Sequence, residues 1–439
     1  MLARSSLLAA LAAVATFGVA APARANGRFP ASSAVVFSPV DDANVMVRTT
    51  FGLLATHDRG ASWGWICERA IGFSGPEDPS YVVTKSGAIV AGLFDGLRVS
   101  RDGGCSWSAV KTDATVFVDL TSRPDGAIVA LASSYDRHGD AGSLYKTQLW
   151  LSTDDARSFT ALGPRFDPTL LGETVEVAAS DPSRLYVSAV RGEGTGRQGV
   201  LLVSSDGGRK WIERRALLEP KELAPFIAAV DPKHADRIYL RTSASPESPT
   251  RLLVTDDAGK TYRTLLGAKG PLLGFALSPD GATVSAGGPD DGLYAGSAEG
   301  GALSQVMQAS GVKLRVQCLG QSGDVLWACS SEASGFIAGT SRSGGTSFEA
   351  RLHLRDVKGP LACAEGSAVA TECSLDWLKL KGELGVGEAA RAGTGTAVDG
   401  GAAAPGEAAR TRDRGVLWAA VVAAIGAAAL LLRARSRRR

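Results

Sequence analysis

The chain has 439 residues, with 47 lysines and arginines against 45 aspartates and glutamates, 53 glycines and 6 cysteines. That length admits two or three ordinary domains or one large all-β domain. Setting aside Arg4, Arg24 and the five arginines after residue 432 leaves 40 basic against 45 acidic residues, about −5, so the bulk of the chain offers no basic face for nucleic acid.

Residues 1–25 read as a secretory signal peptide. An early Arg4 precedes the apolar stretch from Leu7 to Ala20, and Ala23-Arg24-Ala25 supplies an A-x-A cleavage site before Asn26. Residues 26–380 then carry a repeat. The pattern Ser/Thr-x-Asp-x-Gly-x-x-aromatic occurs as THDRGASW (56–63), SRDGGCSW (100–107), STDDARSF (152–159), SSDGGRKW (204–211) and TDDAGKTY (255–262), and in degraded form as SAEGGALS (297–304) and SRSGGTSF (341–348). Successive starts lie 44, 52, 52, 51, 42 and 44 residues apart.

Upstream of each box stands an apolar run, a turn rich in Pro, Asp and Gly, and a second apolar run, as in VVFSPVDDANVMV and VAASDPSRLYVSA. Each such stretch predicts a β-hairpin. The run before the box (LRVS, LWLS, LLVS) supplies a third strand and the residues from the aromatic onward a fourth. Four strands repeated seven times predict an all-β fold, a seven-bladed β-propeller.

After the repeats, residues 381–414 form a Gly/Ala-rich stretch: 17 of the 33 residues from Gly382 to Arg414 are Gly or Ala, the composition of a flexible linker. Gly415 to Leu432 contains no charge and spans roughly 27 Å as a helix, which predicts a transmembrane helix at 415–432. The arginine-rich tail 433–439 would stay cytoplasmic, leaving the bulk of the chain periplasmic or at the cell surface.

The boxes resemble the Asp-box (BNR) repeat of sialidase-type β-propellers, over residues 33 to 353. The resemblance implies that each box forms the turn between the third and fourth strands of a blade. Asp58, Asp102, Asp154, Asp206 and Asp257 are then turn-building rather than catalytic, since a carboxylate accepts hydrogen bonds from turn amides. Non-hydrolytic propellers of this kind resemble photosystem II assembly factors and the sortilin ectodomain, which implies a binding or assembly module. The C-terminal tail is similar to myxobacterial-type sorting signals, although that type carries a cysteine before the helix and none lies between Cys373 and Gly415 here.

A glycan-active hydrolase is the alternative, because sialidases share the repeat and Arg28-Phe29-Pro30 is superficially like their Arg-Ile-Pro element. No catalytic residue, cofactor or metal is assigned. The four histidines (His57, His138, His234, His353) stand singly, with no HExxH and no EF-hand pattern.

Six cysteines in an exported chain predict three disulfides. Cys318 and Cys329 flank a hairpin whose two-residue loop is Gly323-Asp324, which sets them directly opposite. Cys363 and Cys373 are ten apart, and elimination leaves Cys67 with Cys105.

A partner, protein or glycan, is placed by unequal repeat lengths. The excess of the units ending at boxes three to five lies in the connections Ala132 to Thr147, Arg191 to Gly199 and Thr242 to Thr250, with more around Pro164 to Glu173 and Leu217 to Ala224. These are predicted loops on the face opposite the boxes, where Tyr135, Arg137, His138, Tyr145, Arg191 and Arg197 offer aromatic and cationic contacts to a partner of this expected monomer. Tolerated insertion without a role is the competing reading.

Overall fold

The apolar, turn, apolar stretches all pair as antiparallel hairpins in the computed structural model, which describes residues 30–139, 142–245 and 248–387. Seven four-stranded antiparallel sheets follow in chain order, at 32–66, 80–110, 117–162, 170–216, 222–268, 274–305 and 318–352. First strands touch between blades 1 to 5 and between blades 6 and 7, that of blade 1 lies against that of blade 7, and blades 5 and 6 meet through Leu252 and Val254 packed with Val284 and Ala286, so the sheets close into a seven-bladed propeller. Apolar layers fill the spaces between blades. Val90, Leu97 and Val99 of blade 2 pack on Phe117, Ile128 and Trp150 of blade 3, and Tyr186 and Leu201 of blade 4 on Ile238 and Leu253 of blade 5.

Six of the seven box turns share one feature, a first hydroxyl that accepts the i+4 amide. Ser100 Oγ donates to Asp102 Oδ1 (2.8 Å) and accepts from the Gly104 N–H (2.8 Å), while the Ser106 N–H donates to Asp102 Oδ1 (2.9 Å). The first hydroxyl accepts the same i+4 amide at Thr56, Ser152, Ser204, Thr255 and Ser341. Box turns and the turns between first and second strands share one face: the Arg59 N–H donates to Ala43 O, and the Ala258 N–H to Asp236 O.

Blade 7 takes all its strands from one stretch, so the ring is not closed by an exchanged strand. The chain instead returns after blade 7 along the outer strand Gly64–Ile66 of blade 1. The Trp65 N–H donates to Gly359 O (2.7 Å), the Leu361 N–H to Trp65 O (2.8 Å), and Trp65 and Pro360 form a parallel bridge. Helix Ser374–Glu383 follows, with Trp377 against Trp65 at 5.9 Å between ring centroids.

All six cysteines are bridged. Cys318 pairs with Cys329 across the hairpin, directly opposite in the ladder. The other two expected pairs are corrected to Cys67–Cys373 and Cys105–Cys363. Elimination by sequence proximity fails because the returning segment crosses blades 1 and 2, where the Val369 N–H donates to Cys105 O.

One boundary and one predicted loop also differ. Residue 380 falls inside the last helix, and Leu384, assigned to the linker, is 5% exposed in the core cluster of blades 1, 2 and 7. The connection from Ala132 to Thr147 is not a loop: strands Ile128–Gly139 and Gly142–Ser152 extend it as one long hairpin. Continuous β pairing satisfies the backbone groups that a 16-residue loop would leave to water. The expected signal peptide, transmembrane segment and tail lie outside the described residues, as does the linker beyond 387. Among the described residues no helix is long and apolar enough to cross a membrane.

Candidate functional site

On the face opposite the boxes, blades 3 to 5 border an open-sided cavity of about 180 Å³. Its shape comes from irregular first strands. In Leu170–Val177 of blade 4, Gly172 lies opposite Ala189 and Thr174 opposite Ser188, which makes Glu173 a bulge residue. In Glu222–Val230 of blade 5, Glu222 lies opposite Ala244 and Ala224 opposite Ser243, so Leu223 bulges as well. A bulge re-aims its side chain, and both residues line the same cavity.

Blades 1 and 3 bulge at the place in the blade that Glu173 holds in blade 4, with Ser33 and Val118. Ser33 is satisfied by polar contact, its Oγ accepting from Arg48 Nε (2.9 Å), and Val118 by apolar packing. Glu173 has neither. No described residue hydrogen-bonds its carboxyl, and burial pushes it up to about 7, against the pull of the Arg197 guanidinium. Leu171, Val190, Leu223, Ala224 and Phe226 give the cavity apolar walls, and Tyr145, Glu193 and Arg197 border it. Glu193 accepts from the Ser143 N–H (3.3 Å), which ties the blade 4 connection to the blade 3 hairpin.

The sequence-predicted contact residues divide. Tyr145 and Arg197 line the cavity. Tyr135, 60% exposed, stands opposite Tyr145 in the hairpin, their rings edge-on at 6.3 Å. Arg137 and His138 are exposed toward the hairpin end. Arg191 is engaged instead: it holds Glu213 through two nitrogens (2.9 and 3.0 Å) and donates to Thr169 Oγ1 (2.9 Å).

The inner strands carry further acids that sequence reasoning passed over. Asp119 accepts from Ser80 Oγ (3.0 Å) and from the Val175 N–H (2.9 Å), joining blades 2, 3 and 4, and burial raises it to about 6. Glu176 accepts from Thr121 Oγ1 (2.9 Å); burial, with the Asp119 charge beside it, raises it to about 8. Arg241 of blade 5 lies over the Phe226 ring at 5.8 Å and donates to the Leu272 and Leu273 carbonyls (3.0 and 2.9 Å). The available signal was the pair of acids inside the strand sequence LLGETVEV. Box carboxylates move the opposite way: hydrogen bonds from the Ser62 and Thr56 hydroxyls lower Asp58 to about 2. Among the described residues no group of three or more His, Cys, Asp or Glu could hold a metal ion.

No protein-family model and no curated protein sequence matches the chain. Solved structures do. An ancestral GH74 enzyme is similar over 73% of this chain and 46% of its own, at 16% identity and a TM-score of 0.55, so the chain spans about half that enzyme's length. YCF48 bound to D1 peptide matches over 68% of this chain and 90% of its own, at 15% identity and a TM-score of 0.44. The β-propeller domain of Myceliophteria thermophila Cps50 (Swd1) matches over 70% and 95%, at 13% identity and a TM-score of 0.44. At 16% identity the likeness to the GH74 enzyme establishes the fold alone.

Proposed function

We propose that the chain is an exported, membrane-tethered propeller that works as a non-catalytic binding or assembly module, engaging its partner through blades 3 to 5 on the face opposite the boxes. The observation that carries this reading is the cavity at that sector. At about 180 Å³ it lies below the roughly 300 Å³ where small-molecule sites begin, which suits one side chain, whereas the groove of about 670 Å³ along Tyr135, Lys146, Gln148 and Trp150 has room for a larger ligand. Three disulfides suit an oxidising, extracytoplasmic setting. Asp119 and Glu176 have raised proton affinity, as a glycosidase acid would, but each is held by hydrogen bonds that join blades.

The test has two arms on the full chain. Against fluorogenic glycosides and soluble β-glucans no turnover is expected; turnover lost on Asp119→Asn or Glu176→Gln would make the protein a glycan hydrolase. Replacing 134–146 with a two-residue Asn-Gly turn, which keeps Ser133 opposite Thr147, should leave the melting temperature within a few degrees. It should also abolish crosslinking to the exported protein that wild type captures; undiminished crosslinking would remove this sector from the function.

A further inference from the structure

We infer that the Glu173 cavity is an anchor pocket for a single lysine or arginine side chain of a partner polypeptide. The inference deepens the binding-module reading and rests on it for the partner being a polypeptide. Its chemistry comes from the cavity itself.

Two adjacent bulges turn one acid and one leucine into a space the size of one side chain. The walls from Leu171, Val190, Leu223, Ala224 and Phe226 suit the methylene stem of a long basic residue, which packs along apolar surface while its charged head seeks a partner. That partner is the Glu173 carboxyl, which no described residue hydrogen-bonds. The half-buried Glu173 carboxyl is only partly solvated among these apolar walls, and an ammonium or guanidinium group supplies both charge and donors. The same bulge position is satisfied internally in blades 1 and 3, so the unmet acid in blade 4 is not demanded by the blade.

The surroundings fit an anchor. Leu223, 40% exposed, lines the cavity as contact surface, Tyr135, 60% exposed, packs edge-on against the bordering Tyr145, and binding energy concentrates where one side chain fills a pocket within such a rim. Among the described residues the charged groups bordering Glu173 are Arg197 and Glu193 on the blade 4 connection; Tyr145 faces it from blade 3, and Ser243 from blade 5 is neutral. Arg197 makes no ion pair with any described residue and competes with an incoming cation.

The probes are Nα-acetyl-lysine methylamide and Nα-acetyl-arginine methylamide, titrated into the full chain by saturation-transfer NMR at pH 6 and pH 8, beside the norleucine and glutamate analogues. At least one basic compound should bind ten-fold or more tighter than norleucine, and tighter at pH 8, where Glu173 is ionised, than at pH 6. Glu173→Gln should erase that preference and Arg197→Ala should strengthen binding. Equal binding of norleucine, preference for glutamate, indifference to Glu173→Gln, or weakening by Arg197→Ala would each overturn the assignment. Should Glu173→Gln fail to fold, Leu223→Trp, which plugs the cavity and keeps the acid, must give the same loss. A chain that hydrolyses glycosides yet binds these probes through Glu173 would unseat the binding-module reading and keep the pocket. One that does neither would keep that reading and remove the pocket.

Discussion

A single carboxylate meets opposite fates at the two ends of a blade. In the box turns it faces amide and hydroxyl donors and becomes a stronger acid. Hydrogen bonds from Ser158 hold Asp154 at about 2; Asp257 also reaches about 2, where donors from Thr261 outweigh its burial. Along the inner strands donors are fewer and burial wins, so Asp119, Glu173 and Glu176 become weaker acids. These shifts predict a stability optimum in mild acid. Box acids ionise more readily folded than unfolded, so their contribution is present above about pH 4 and is lost as pH falls toward 2. The inner acids are neutral longer in the folded state. Their contribution is present below about pH 4 and is lost as pH rises through about 6 to 8. Glu176→Gln should therefore flatten the alkaline side, with a higher melting temperature than wild type at pH 8 and little difference at pH 4. A melting temperature at pH 8 below that of wild type would show that the ionised carboxylate is needed.

At the scale of elements, the segment after blade 7 is what the repeat does not describe. It adds backbone pairing to the outer strand of blade 1, a helix over Trp65, and two bridges with sequence separations of 306 and 258. In the chain-entropy picture such long loops stabilise strongly, but once one bridge closes, the second encloses only the spans 67–105 and 363–373. Removing one, as Cys105→Ala with Cys363→Ala, should cost about 2–4 kcal/mol in urea unfolding. Removing Cys67 and Cys373 as well should cost more than the first step, because no covalent closure of the ring then remains. Equal steps would mean that the bridges act independently and not as one clasp.

For the molecule as a whole, stability depends on how closely seven sheets approach. Gly163, at φ +66°, ends blade 3 with its backbone against the blade 4 box: a Cβ there would lie 2.0 Å from Gly208 O. Backbone meets backbone, so no rotamer change relieves the clash. Gly163→Ala should cost at least about 2 kcal/mol, from a left-handed conformation and a forced separation of blades; a melting temperature equal to that of wild type would show that the two blades are not seated this closely. The repeat itself was legible because each blade is a local object, with alternating apolar strands and a turn whose Ser, Asp and Gly hydrogen-bond within five residues. Blade number, strand order and the Cys318–Cys329 bridge follow from such short-range patterns. Cys67, Cys105, Cys363 and Cys373 could not be paired that way, since ring closure brings residues hundreds of positions apart into contact. Glu173 was hidden for a similar reason: in sequence it is one acid in a strand, and only a bulge beside a second bulge on the neighbouring blade gives it a cavity. Local hydrogen bonding and apolar periodicity are written along the chain, whereas burial, and with it the proton affinity of an acid or the emptiness of a pocket, is decided by which blades come to stand next to each other.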